Sequence, residues 1–579
     1  MNKYLDLLLS YCDRLVKNQI TEMTDPHFYG GILCPACALI HGRIADAVYP
    51  LSAAYHYTKD SRYLECAKAA VSWSEHNLRR TDGSYYNDKM KDWRGITVFS
   101  AISFGEALLY HGDCLDEQTR SSWEKIHKRL TDFVFKRFKE PDFKTNINYF
   151  AAYASAMAIA YRLTENEQYR IAAYEMADRV LENNVTADGL IHGEGSPEGG
   201  RRTPKGSFGV DIGYNVEETL PALTAFAHYM QDEGYMERVI SLWRTHLEFM
   251  LPDGDWDNSF GTRHNKWTYY GSRTSDGAQT GLCYIWQRDP VFAEAAERNF
   301  EAMRRCSSDG YLYGGPMYKE AGEEPCIHHS FTHAKAPAAL IDSEFSHLTH
   351  TALPREREYG LLPFPSINVS LVSAGDFRAT VSGYDCVKFH AAATGGGSLT
   401  MLHHRKYGPV FASSVAKYGI TEFLNMQHTR TFESAECSTP RIQLGDLSSV
   451  NSIDCTLFAE KREERVMLRA SGVLRDCDGG VGEGYSLEYL FGEDELTLTA
   501  TSDAGGELIL PVIGGNGAKA SADGLIATLS RGEHTVELCS KAPITVGAET
   551  FNPVGGFLST PFIIILDKGT PCTVTLRIK

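Results

Sequence analysis

From the first residues to about position 342, apolar side chains recur at three- and four-residue spacing, the period of amphipathic helices. A motif also repeats along this stretch. AAYHYTKDSRYLECAKAAVSW, from Ala53, is echoed by AIAYRLTENEQYRIAAYEMADRVL from Ala158. Weaker echoes are AFAHYMQDEGYMERVISLW from Ala225 and YIWQRDPVFAEAAERNFEAM from Tyr284. Each predicts a helix, a tight polar turn, and a second helix starting near a Tyr or Phe. With 94–111 and 117–138 as another pair, the pattern predicts roughly twelve helices in six hairpins. Several second helices run into the same punctuation: Asp82-Gly83, Asp188-Gly189, Asp253-Gly254 and Asp309-Gly310. Equivalent loops of a closed repeat emerge on one face, so chemistry collects there. The expectation is an (α/α)6 toroid over residues 1–342, with an open helical solenoid as the alternative. After Asp342 the pattern changes. Residues 343–364 read as a linker containing Pro. From 365 to 579, β-branched residues alternate with polar ones between Gly-containing turns, which predicts an antiparallel β-sandwich. The fold class is therefore multidomain, α then β.

Composition narrows the partners. The chain has 579 residues, 43% hydrophobic and 23% charged, and a formal charge of −17 that argues against nucleic acid. The same charge would repel an anionic sugar unless basic groups gather locally, and three groups do so. They are Arg201, Arg202 and Lys205; Arg263, Lys266 and Arg273; and His403, His404, Arg405 and Lys406. The 30 Tyr suit carbohydrate recognition, since one face stacks while the hydroxyl bonds. No stretch approaches a membrane span. The N-terminal MNKYLDLLLSYCDRLVKNQI carries Asp6 and Asp13 and reads as an amphipathic helix rather than a signal peptide, so a cytoplasmic location is expected. The expected partner is an anionic oligosaccharide or polysaccharide, with neither nucleic acid nor membrane.

Candidate chemistry concentrates between Ala187 and Gly277. Two long loops there hold His192, Glu194, Tyr214, Arg263, His264, Trp267, Tyr269, Tyr270 and Arg273. Loops this long are usually functional, because a connection needs only a few residues. Asn146 and Asn148 open a small-residue helix, where Asn either caps the helix or presents an amide to a substrate carboxyl.

An Asn opening an Ala-rich helix, a DGLIHGEG loop with His192 and Glu194, Tyr214 in DIGYNVEETL, an Arg/His/Tyr loop and then a sandwich: this order resembles the toroid-plus-sandwich polysaccharide lyases, especially heparinase II/III-like ones. The resemblance implies β-elimination at a uronic acid. Donors neutralise the carboxylate, a base removes the C5 proton, and an acid protonates the leaving 4-linked oxygen. It carries the neutralising Asn onto Asn148 or Asn146, the loop His onto His192, the nearby acidic residue onto Glu194, and the acid and base Tyr onto Tyr214. The sequence departs from the tighter pattern in having Tyr149, not His, after Asn148. His264, Tyr269 and Tyr270 are rivals for the proton-moving roles. Arg263 and Arg273 are candidates to bind the carboxylate. Trp93, Arg94, Trp267, His403 and His404 are further candidates for sugar contact, the last two on a basic turn expected to reach over the toroid mouth.

Two other readings remain. A glycoside hydrolase on the same toroid, such as a glucuronyl hydrolase, would need two carboxylates flanking the bond. Asp82, Asp188, Glu194, Glu198, Asp211 and Asp276 are the candidates. No cofactor is required for elimination, but Cys34, Cys37 and His41 together with Cys326, His328 and His333 are candidates for one divalent metal site, because the first and last hairpins of a closed toroid are neighbours. The 14 Cys lack the regular spacing of a disulfide framework.

Overall fold

The structure, a computed structural model, describes residues 2–87, 92–195, 202–347, 349–387, 394–420, 424, 435–462, 465–515 and 517–579. After α1 (Lys3–Asn18), five helical hairpins follow in order. They pair α2 (Val48–Thr58) with α3 (Ser61–Asn77), α4 (Thr97–His111) with α5 (Glu117–Arg137), and α6 (Ile147–Thr164) with α7 (Glu167–Asn183). Next, α8 (Ile212–Tyr214) passes through a π-helical turn at Asn215–Thr219 into α9 (Leu220–Met230), which pairs with α10 (Glu233–His246). Finally, α11 (Gln279–Leu282) precedes α12 (Pro290–Arg305), and α13 (Ile327–His333) and α14 (Lys335–Asp342) end the helical half. The first helix of each pair lies inside, the second outside. Helix α14 packs against both α1 and α2, so the ring closes and α1 supplies the last outer helix. The sixth hairpin is thus assembled from the two ends of the helical half. A closed toroid replaces the open solenoid.

The repeat has a physical basis. Inner helices are buried on nearly every side, as in α6, where Ala151, Ala154, Ala156, Ala158 and Ala160 let neighbouring helices approach closely. Outer helices keep one apolar stripe; α5 buries Trp123, Ile126, Leu130 and Val134 and leaves its other face in water. Inner helices α2, α6 and α9 end on a left-handed residue, Lys59, Glu165 and Gln231, and the next residue caps the outer helix. Those caps are Asp60, Asn166 and Asp232. The recurring Tyr after each cap ties successive outer helices. Tyr63 donates to Asp13 at 2.9 Å, Tyr169 to Asp132 at 2.7 Å, and Tyr235 to Asp178. The four Asp-Gly turns place each Gly at positive φ, between a short antiparallel pairing that starts every loop on the same face.

The strands of the β-half begin at Gly360, within the stretch read from sequence as linker, which also forms a 3-10 turn at Pro354–Glu356. A five-stranded antiparallel sheet runs in chain order through Gly360–Phe364, Val369–Ala374, Phe377–Ser382, Ser398–His404 and Gly408–Ala412. The larger sheet has 14 strands, and the C-terminal Cys572–Ile578 lies between His534–Ser540 and Glu495–Ser502. Val372, Phe377, Ala379 and Val381 meet Leu468, Leu487 and Tyr489 of the larger sheet in the sandwich core. The opposite face of the small sheet is also buried, against the toroid, and here polar groups pair across the seam. Arg355 Nη1 bonds Asp257 Oδ2 at 2.6 Å with both side chains buried, and Thr380 donates to the same carboxylate. Among the described residues no helix is long and apolar enough to cross a membrane.

Candidate active site

The toroid loops enclose a hollow of about 210 Å³ lined by Arg43, Asn87, Trp93, Ile96, Phe99, Thr145, Asn146, Asn148, Tyr149, Tyr214, Glu218, Arg263, Lys266 and Thr274. Asn148 sits on the first turn of α6. Its backbone N–H donates to Glu194 Oε1 at 3.0 Å, and its amide donates to Glu218. Asn146 leads into the same helix without capping it, and accepts from the Gly195 N–H at 3.3 Å. Both Asn therefore line the hollow, with Asn148 the deeper of the two.

Tyr214 ends α8, which Asp211 caps through Oδ1 at 3.0 Å from the Tyr214 N–H. The other oxygen of Asp211 accepts from the Arg263 N–H at 2.7 Å. One carboxylate thus sets both the phenol and the guanidinium that lies over it, with Arg263 Cζ 3.8 Å from the Tyr214 ring centroid. The Tyr214 hydroxyl is 2.5 Å from Thr274 Oγ1 and accepts from Lys266 Nζ at 3.5 Å. Glu194 is fully buried and steadies Arg263 from the far side at 3.2 Å.

The π turn after Tyr214 sends consecutive acids to different tasks. Glu217 accepts from the Ser272 N–H at 2.7 Å and from Ser275, pinning the loop that carries Thr274. Gly271 is needed there, because a Cβ would sit 1.8 Å from Glu217 Oε1. Glu218 turns into the hollow, 3.9 Å from Arg43. Burial pushes its carboxyl up to about 8, against the opposing pull of Arg43 and the Asn148 amide. Below it, Arg43 pairs with Asp46 at 2.6 Å and lies 3.6 Å from Asp276, which Lys335 also holds at 2.7 Å.

Several sequence candidates lie elsewhere. His192 does not line the hollow; its ring packs on Phe208 at 4.4 Å, and burial lowers its imidazole to about 4. His264 is likewise neutral, lowered to about 4 by burial, and sits 3.2 Å from Ser413 of the β-domain. Trp267 donates to the Trp256 carbonyl at 2.8 Å, Tyr269 to Asp253 at 2.8 Å, and Arg273 to the Pro553 carbonyl at 2.5 Å. Tyr270 is fully buried with its ring edge-on to His333 at 5.5 Å. Much of the second loop therefore fills the seam between the domains. The same aromatic and guanidinium groups that suit a sugar also suit a polar protein interface.

His403 and His404 do not form an exposed turn: both are buried in the strand Ser398–His404, His403 at 3.3 Å from Asp253 and His404 edge-on to Phe377 at 5.0 Å. Lys205 also serves the seam, donating to the carbonyls of Gly383 and Cys455 at 2.7 Å. Trp93 reaches the hollow with one face on Phe143 and its N–H donating to Tyr149 at 2.8 Å. Arg94 is partly exposed and paired with Asp82 at 2.6 Å, outside the lining. Arg201 and Glu198 lie outside the described residues.

The hydrolase alternative fares poorly on geometry. Among the described residues lining the hollow, Glu218 is the single carboxylate. Asp188 bonds the Ser366 N–H at 2.8 Å, and Asp82, Glu194, Asp211 and Asp276 hold the partners given above. Of the metal candidates, Cys34, Cys37, His41 and Cys326 come together, with ligand atoms of the first three within 4.8 Å of one another. His328 packs edge-on to His41 and His333 turns away toward Glu217 at 3.5 Å. Sequence reasoning missed Glu218 altogether, and it places Lys266 only in a local basic group that would favour an anionic sugar.

Both halves of the chain match known proteins. The N-terminal domain model of the ulvan lyases matches residues 8–357, and the C-terminal domain model matches residues 362–579. The broad-specificity ulvan lyase of Formosa agariphila is 37% identical over 514 residues, covering 86% of this chain and 80% of that protein. Among solved structures, the Streptomyces coelicolor A3 chondroitin AC lyase, in complex with chondroitin sulphate, is similar with a TM-score of 0.56 at 12% identity. That match covers all of this chain and 80% of the other. A heparinase III is similar with a TM-score of 0.53 at 10% identity, covering all of this chain and 84% of the other. At such identities the likeness concerns the fold alone.

Proposed function

This chain belongs to the ulvan lyase family, polysaccharide lyases that cleave uronate-containing glycans by β-elimination, and we propose that ulvan is its substrate and that Tyr214 moves the proton. The observation that carries the assignment of roles is the enclosure of the Tyr214 phenol by Arg263, Lys266 and Thr274 beside the Asn148–Glu218 pair.

Elimination begins with loss of the proton on C5, alpha to the uronate carboxyl. The electrons pass into the carboxyl as an enolate, then return to form the C4–C5 double bond and expel the 4-linked oxygen, which takes up a proton. Tyr214 acts as its phenolate: it takes the C5 proton to become the phenol, then gives that proton to the leaving oxygen and returns to the phenolate. Arg263 and Lys266 hold the phenolate charge before the proton is taken and after it is given up, at no cost of rearrangement. The Asn148 amide and the Glu218 carboxyl, which is neutral at pH 7, hydrogen-bond the uronate carboxyl and offset the charge that builds there. Arg43 balances it from below. Imidazole has no part in this scheme, because His192 and His264 lie outside the lining.

The test is product analysis with ulvan and with other uronate glycans. Elimination produces a near-ultraviolet chromophore from the C4–C5 double bond conjugated to the carboxylate, and adds no water to the products. Appearance of that chromophore with ulvan is the expected result. A new reducing end without the chromophore would reject elimination, and turnover of other uronate polymers but not of ulvan would reject the substrate.

A further inference from the structure

A second cluster lies outside the hollow, where the loop after α1 meets the entry to α13. Cys34 Sγ is 3.9 Å from Cys326 Sγ, Cys37 Sγ is 3.3 Å from His41 Nε2, and Cys326 Sγ is 4.0 Å from the same nitrogen. We propose that Cys34, Cys37, Cys326 and His41 Nε2 bind one structural zinc ion that clamps the two ends of the helical ring and positions Arg43.

The distances fit a tetrahedral ion. Zinc–sulfur bonds of ~2.3 Å and a zinc–nitrogen bond of ~2.0 Å put tetrahedral sulfurs about 3.8 Å apart and each sulfur about 3.5 Å from the nitrogen. The donor set is of the closed, four-coordinate structural type, with three soft thiolates and one imidazole. The chain is bent to present it. The Cys34 N–H donates to the Leu39 carbonyl and the Ala38 N–H to the Cys34 carbonyl, each at 2.9 Å, so Cys34 to Leu39 forms a tight knuckle. Within it, Ala38 takes φ +57, a left-handed conformation that costs an alanine ~1 kcal/mol. Ligand binding at the knuckle gives that strain a purpose. His328 packs edge-on to His41 at 5.3 Å and shields the cluster from the side.

The position of the clamp has a consequence for the hollow. Two residues after His41 comes Arg43, and Gly42 between them lies so close to Asn87 that a Cβ would meet the Asn87 carbonyl at 1.6 Å. Arg43 and Asn87 both line the hollow. Cys326, from the other end of the ring, directly precedes α13. The ion therefore joins the entry of the first inner helix to the entry of the last.

The inference is independent of the substrate assigned above and is tested without it. Chain purified without a metal-affinity tag is expected to carry about one zinc per molecule by elemental analysis, in line with a closed four-ligand site. Cys34→Ser and Cys326→Ser are expected to lower zinc content at least ~10-fold and to lower the melting temperature, whereas Cys539→Ser, on a distant strand, keeps both. Should the ligand variants fail to fold, cobalt exchanged into the wild-type chain gives an independent reading: tetrahedral thiolate-coordinated cobalt has intense visible bands and sulfur-to-metal charge transfer. Wild-type chain without zinc and without those cobalt bands would overturn the proposal. So would an intact mass lower by two hydrogens that maps to a Cys34–Cys326 disulfide.

Discussion

The guanidinium of Arg263 lies over the phenol of Tyr214, its Cζ 3.8 Å from the ring centroid, and the single carboxylate of Asp211 fixes the backbone of both. The geometry at the centre of the hollow is therefore set before any sugar arrives, which is the condition for electrostatic help at no reorganisation cost.

Removing the phenolic hydroxyl tests the proton transfer directly. Tyr214→Phe is expected to lower kcat at least ~100-fold, the usual size of an acid–base contribution, while the melting temperature stays near wild type. His192→Ala is expected to keep turnover within about threefold, because its ring packs on Phe208 outside the hollow. Steady-state kinetics on a uronate glycan check both. Loss of activity in the His192 variant with Tyr214→Phe intact would reverse the assignment.

Glu218 gives a pH signature. Its carboxyl titrates at about 8 instead of 4.5, so it is neutral below pH 8 and becomes an anion above it, where it repels the uronate. Activity is expected to fall as pH rises through about 8, and this alkaline fall is expected to vanish in Glu218→Gln. Stability follows the same sign. Between pH 4.5 and 8 the folded chain holds a proton the unfolded chain has released, so stability drops across that window in the native protein and less so in the Gln variant. Profiles of kcat/KM and of melting temperature against pH check the pair.

Asp211→Ala removes a helix cap and the anchor of the Arg263 backbone together. Loss of the cap alone is expected to cost about 1–2 kcal/mol. Activity is expected to fall further than that loss of stability explains, because Arg263 shifts off the Tyr214 ring. Denaturant unfolding and single-turnover rates, measured side by side, separate the two effects.

At the domain seam, Arg355→Met leaves the Asp257 carboxylate buried without its guanidinium partner. A break of that kind is expected to cost about 3–5 kcal/mol. Calorimetry checks it, and the double variant Arg355→Met with Asp257→Leu is expected to recover part of the loss.

The ring was readable in the sequence because its repeat has a local cause. Each Tyr following a cap reaches back to an acid on the preceding outer helix, so Tyr63, Tyr169 and Tyr235 stand in register along the text. That Asn148 and Tyr214 border one hollow was readable as well, since Asn148 opens an Ala-rich helix and Tyr214 stands where the long loop turns into the next inner helix. Glu218 was not. Five residues of π-helix displace it from the face that a 3.6-residue period assigns. Trp267, Tyr269 and Arg273 misled for a different reason: the sequence shows a polar aromatic loop but not what covers it, and a second domain does so here. Cys326 could be placed beside Cys34 only by supposing the ring closed.

Because Lys3–Asn18 packs on α2 and α3 as well as on Lys335–Asp342, its docking surface is complete only when the far end of the helical half arrives. Arg43, which follows α1, and Asn148, on α6, line one hollow, so its walls depend on that closure of the ring. Deleting α1 is expected to bare the apolar faces of α2, α3 and α14 that it covers, and a lower melting temperature would report the loss.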